Sequence, residues 1–203
     1  MKRAISIVAL LGLVAIVAAV PLSAAPKPSI VDPINDANGI NDQGTGDGSF
    51  GDFDQAGVST ITDLLEIRFT NDAKTITAHI KTQGLPPATQ GTGYRVRVNP
   101  GTGGVYCLYF ESFHPGAGND LTANVGHVRD ACTGEVIEAV VEPTTYGLGI
   151  TVPRKSHEAF GKGKKLVAPQ GAGFVYLGSA YPAGVMYPVT DTTKPGSDYK
   201  LKN

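Results

Sequence analysis

The chain has 203 residues and a formal charge of −1, and only 17% of its residues are charged. That balance excludes recruitment to nucleic acid or anionic lipid by a global field. The 26 glycines and 14 prolines disfavour a helical protein and suit short strands joined by tight turns. The length allows a single domain with a sizeable core.

Residues 1–25 read as a signal peptide. Lys2 and Arg3 precede an apolar run from Ala4 to Val20 that is broken only by Ser6 and closed by Pro21. Ser23-Ala24-Ala25 supplies the small residues a signal peptidase requires. Pro26 obstructs a cut after Ala25, so a cut after Ala24 stays open. The run is short for a membrane span, and no Cys follows it to carry a lipid. The expected product is secreted or held in the cell envelope, with no stable membrane span after cleavage. It keeps 15 basic against 18 acidic residues, a charge of −3.

Residues 26–58 form an Asp/Gly-rich segment that cannot build a core. Positions 32–57 hold six Asp, three Asn and six Gly, with no Lys or Arg. Ca²⁺ takes six to eight oxygen ligands, and glycine lets a loop turn tightly enough to present them. The candidate ligands are Asp32, Asp36, Asn38, Asp42, Asp47, Asp52, Asp54 and Asp63. Asp52-x-Asp54-x-Ala56-Gly57-x5-Asp63 partly matches an EF-hand loop, but Ala56 cannot ligate and Asp63 stands where a bidentate Glu is usual. A solvated, metal-free loop is the alternative, because Asp, Asn and Gly also serve turns and linkers.

Residues 59–203 are expected to form the folded domain. Asp63, Leu65, Ile67 and Phe69 alternate with Leu64, Glu66, Arg68 and Thr70. Ile76, Ala78 and Ile80 alternate with Thr77, His79 and Lys81. Asn71-Asp72-Ala73-Lys74 lies between them, so the stretch predicts a hairpin with one buried and one wet face. Residues 84–93 are expected to be a loop. Tyr94, Val96 and Val98 then point inward with Arg95 and Arg97 outward. Residues 105–113, apolar on both faces, predict a central strand, and residues 126–142 predict a hairpin about Thr133-Gly134. A strand over 149–152, a helical turn over 153–160 and a strand over 173–181 follow. The Pro-interrupted tail ends in either a short edge strand or a frayed end. The sum is an all-β protein of about seven to nine strands, an antiparallel β-sandwich of immunoglobulin or jelly-roll type.

After export, Cys107 and Cys132 are expected to form a disulfide. His79, His114, His127 and His157 lack close ligand spacing and read as exposed or edge-of-sheet residues. Glu111 and His114 bracket Phe113 in a loop and could line a cleft. Arg154, Lys155, Lys162, Lys164 and Lys165 form a basic cluster, read as a solvated loop or a contact for an anionic polymer. No G-x-S-x-G or P-loop motif occurs, so no catalytic residue is assigned. A triad assembled from distant residues stays compatible with the sequence.

Short motifs resemble secreted β-sandwich modules of the DOMON and family-9 carbohydrate-binding-module type. They are Asp32-Pro33-Ile34-Asn35-Asp36-Ala37, Asp63-Leu64 leading into a strand, the hairpin carrying residues 71–80, and Ile150-Thr151-Val152-Pro153 followed by Gly163-Lys164-Lys165-Leu166. The resemblance implies a binding module for sugar, haem or a surface ligand, sometimes with structural Ca²⁺. The chain departs from it in having no Trp to clamp a sugar ring; Tyr106, Tyr109, Phe110 and Phe113 are the alternatives, with core packing the competing role. Met186 is the only methionine after the signal peptide, which disfavours haem. The leading expectation is a non-catalytic module that binds a polysaccharide or cell-surface ligand. A secreted hydrolase and a structural envelope protein are the alternatives.

Overall fold

The computed structural model describes residues 25–32, 62–84, 91–101, 104–114, 125–176 and 189–202. The expected signal peptide, save Ala25, and most of the acidic segment lie outside the described residues. The elements are β1 (Ile30–Val31), β2 (Leu64–Asn71), β3 (Thr75–Thr82), β4 (Gly91–Asn99), β5 (Leu108–His114), β6 (Val125–Asp130), β7 (Val136–Thr144), β8 (Gly147–Pro153), β9 (Lys165–Tyr176), β10 (Val189–Thr192) and β11 (Tyr199–Lys200). Among the described residues all pairings are antiparallel. The all-β expectation holds, with more strands than foreseen because the Pro-rich tail adds β10 and β11.

The strands follow one path, β1-β2-β3-β8-β7-β6-β5-β4-β9-β10, with β11 also on β9. The sheet curls until its ends meet. Ser29 donates its N–H to Ile67 at 2.8 Å and accepts one from Ser197 at 2.8 Å, while Gly196 donates to Pro169 at 2.8 Å. At the same seam the Leu64 N–H donates to Asp191 Oδ2 at 2.7 Å.

The core fills the inside of the curl. Phe69, Ile76, Ala78, Ile150 and Val152 come from one half, and Val96, Val98, Leu108, Phe110 and Val128 from the other. Phe69 and Phe110 meet edge to face at 5.7 Å. Burying each large apolar side chain contributes about 1.5–3 kcal/mol. The expected central strand is central, since β5 lies between β4 and β6.

Strict alternation fails at one end of β2. The β2–β3 register slips between Leu64 and Glu66, so a bulge at Leu65 turns Leu64 inward to 1% exposure. The sequence pattern had placed Leu65 inward. The 84–93 loop is shorter than expected, because β4 starts at Gly91. β9 begins eight residues before the predicted strand. It runs through Pro169 by means of a second bulge, where the register slips opposite Arg97 and Asn99 and Ala168 takes a φ of 48°. The helical turn over 153–160 is a pair of 3-10 turns, Arg154–Ser156 and Glu158–Phe160. The tail ends as an edge strand, with Leu201 buried in the core.

The disulfide forms between Cys107 and Cys132, 25 positions apart. It ties the β6–β7 turn to the segment entering β5. On the chain-entropy model a loop of this length contributes about 3.5 kcal/mol.

Candidate functional site

Period two sends half of each strand's side chains to the outside of the curl. The registers of β9, β4, β5, β6 and β7 then set these residues in rows. One row runs Ala172, Arg95, Glu111, His127, Glu138. The next runs Gln170, Arg97, Tyr109, Arg129, Val136. A third begins Phe174, Gly93, Phe113, Val125. This face is polar and aromatic, and part of it is as buried as the core.

Glu111 is the centre, only 2% exposed. Arg95 Nε donates to its Oε1 at 2.5 Å, Arg129 Nε to its Oε2 at 3.3 Å, and His127 Nε2 to the same Oε2 at 2.9 Å. Burial pushes the Glu111 carboxyl up, but the His127 hydrogen bond and the Arg95 and Arg129 charges outweigh it and hold it at about 2. An ionised Glu111 requires the proton on His127 Nε2.

The two arginines also flank a ring. Tyr109 has the Arg95 guanidinium carbon 5.5 Å and the Arg129 carbon 4.9 Å from its centroid. Arg97 stands 4.5 Å over Tyr106 and is held by Gln170 Oε1. Beside this platform Phe113 stacks on His127 at 5.8 Å and meets Phe174 at 5.7 Å. Gly93 makes the last contact feasible, because a Cβ there would overlap the Phe174 ring.

The histidines correct the expectation of exposed or edge positions. His79 and His127 are buried in interior strands. Thr144 spends its hydroxyl proton on Gly147 O, so His79 Nδ1 donates to Thr144 at 2.9 Å and Nε2 accepts from Thr70 at 2.8 Å. Burial first and the Arg68 charge second lower its pKa, which keeps the ring neutral. His157 accepts the Ala159 N–H on Nδ1 and donates from Nε2 to Asp130 Oδ2 at 3.1 Å. Glu111 and His114 lie in strand β5, not in a loop. The histidine that meets Glu111 is His127, across the strand pair.

Of the proposed Ca²⁺ ligands, Asp32 and Asp63 are described, with Asp63 fully buried. Asp63 precedes Leu64, whose N–H binds Asp191, itself 5% exposed. Asp36, Asn38, Asp42, Asp47, Asp52 and Asp54 lie outside the described residues. Cys107, Asp130 and Cys132 bring their ligating atoms within 4.8 Å of one another. The two sulfurs are joined to each other, and Asp130 caps the turn by accepting the N–H groups of Cys132 and Thr133. In the basic cluster, Arg154 is structural, donating to Phe160 O, Asp72 O and Lys202 O. Lys155, Lys162, Lys164 and Lys165 are exposed.

Among the described residues no helix is long and apolar enough to cross a membrane. Comparison with family models, curated proteins and solved structures finds no match to this chain. The resemblance to DOMON and family-9 modules therefore rests on the sequence motifs alone.

Proposed function

We propose that the protein is an exported, non-catalytic binding module that holds a polysaccharide or cell-surface ligand on the outer face of β4, β5 and β6. The observation that carries this reading is Tyr109, flanked by two half-exposed guanidinium groups anchored to one buried carboxylate. Side chains held from several sides lose little entropy on binding, so they favour recognition. Tyr and Arg are also the residue types that dominate binding surfaces. The curl belongs to the same reading as a flattened sandwich, with β2, β3 and β8 facing β4, β5 and β9 across the core.

The expected result is retention of the mature protein on at least one insoluble or immobilised polysaccharide, lost in Tyr109→Ala with the melting curve little changed. Failure to bind any polysaccharide or intact cell envelope would count against it.

Structural Ca²⁺ at the front segment is part of the proposal. It is supported by the ligand count and by buried Asp63 and Asp191 bordering Leu64. Chelator should lower the melting temperature and added Ca²⁺ should restore it; identical curves would remove the metal from the reading.

A hydrolase is the second reading, favoured by the Glu111–His127 pair. A general acid or base works best with a pKa near the operating pH, whereas Glu111 is held at about 2. That pair fits anchoring better than proton transfer.

A further inference from the structure

We infer that the bound group is an oxyanion carried on a carbohydrate polymer, and that Arg95 and Arg129 are its receptor. This deepens the binding-module reading and rests on it.

A guanidinium has five N–H donors in a planar fork. Arg95 and Arg129 each spend Nε on Glu111. Among the described residues, no hydrogen bond uses their terminal amino groups. The two forks therefore keep their outer edges for a ligand while their inner edges are locked. Both side chains are 37% exposed, against 3% for that of Glu111. The anchoring carboxylate is thus beneath and the open donors are at the surface.

The charge balance points the same way. One buried carboxylate meets two guanidinium groups. Arg97 adds a third, whose partner Gln170 is neutral. The nearest other carboxylate in the rows is Glu138 on β7, exposed beside His127 and bonded to none of the three arginines among the described residues. The face therefore carries local excess positive charge on a chain whose formal charge is −1. Planar forks favour carboxylate, sulfate and phosphate oxygens, which accept two parallel N–H bonds. Tyr109 packs against both guanidinium groups and holds the two forks side by side. An acidic polysaccharide, the charged form of the ligand class already proposed, presents such oxyanions in series.

The test uses the mature protein and three probes: a polyuronate, a sulfated dextran and neutral dextran. Wild type should bind one or both charged polymers and not the neutral one, and binding should weaken as salt rises. Preference for polyuronate assigns a carboxylate, and preference for sulfated dextran a sulfate. Arg129→Lys and Arg95→Lys keep the charge but lose the fork, and each should weaken binding about tenfold. Melting curves of both variants verify folding; if one variant unfolds, the other decides. Equal binding of charged and neutral dextran, or lysine variants that bind like wild type, overturns the oxyanion inference and leaves the binding-module reading standing. No binding to these probes or to any other polysaccharide or envelope preparation overturns both.

Discussion

Glu111→Gln should lower the melting temperature by roughly 5–10 °C at pH 7, a loss of about 2–3 kcal/mol for a domain of this size. The glutamine keeps the shape but loses the charge. Arg95 and Arg129 then stand over a neutral amide, and His127 loses its ionic acceptor. The pH dependence separates this from simple misfit. The folded carboxyl sits at about 2, below its ordinary 4.5, which corresponds to about 3 kcal/mol of stabilisation. A depressed acid stabilises the fold fully above 4.5, and the contribution is lost as pH falls toward 2. Wild type should therefore lose an increment across that window that Glu111→Gln lacks, so their difference should shrink as the solution is acidified. His79, with its pKa lowered by burial, adds a loss to both proteins that starts below its ordinary 6.5 and cancels in the comparison. Equal stability of the two proteins at pH 7, or a gap that does not change with pH, would show that the ion cluster contributes nothing.

Gly147→Ala should cost about 3 kcal/mol or more, while Gly134→Ala should cost only about 1–2 kcal/mol. Both glycines have left-handed backbone, φ 110° at Gly147 and φ 81° at Gly134. They differ in their surroundings. A Cβ on Gly134 meets nothing within 4 Å, whereas one on Gly147 would overlap the Ile80 carbonyl oxygen and lie 2.8 Å from its carbon. No rotamer relieves a clash with backbone. Gly147 opens β8, which pairs with β3 on one side and β7 on the other. Displacing it pries apart the two halves of the curl. Urea unfolding midpoints of the two variants measure the contrast, and equal losses would mean that the close approach to Ile80 relaxes freely.

Much of the fold is legible in the chain because period-two alternation is a local signal. Tyr94, Val96 and Val98 face the core with Arg95 and Arg97 outside, as their spacing demands. The β2–β3 turn closes where Asn71 and Asp72 stand, and the β6–β7 turn about Gly134. The disulfide is expected from the cysteine count and the signal-peptide reading of residues 1–25, and the two cysteines are bonded. The bulge at Leu65 is not legible, since an extra residue in one strand is visible only against its partner. The crossing of Pro169 by β9 is hidden for the same reason: a proline reads as a strand breaker until a bulge accommodates it.

The candidate site divides along the same line. Alternation assigns the outward face to Arg95 and Arg97 alone, while Tyr109 and Arg129 look like ordinary packing or solvated residues one strand at a time. Their meeting depends on the registers that set Glu111 between Arg95 and His127, and Tyr109 between Arg97 and Arg129. The sequence alone determined the all-β class and the outward Arg95 and Arg97 of β4, because these need only the pleat of a single strand. Tertiary structure decided which outward side chains share one buried carboxylate, because the partners come from the two strands flanking β5, whose relative shift is set by the core packed beneath them.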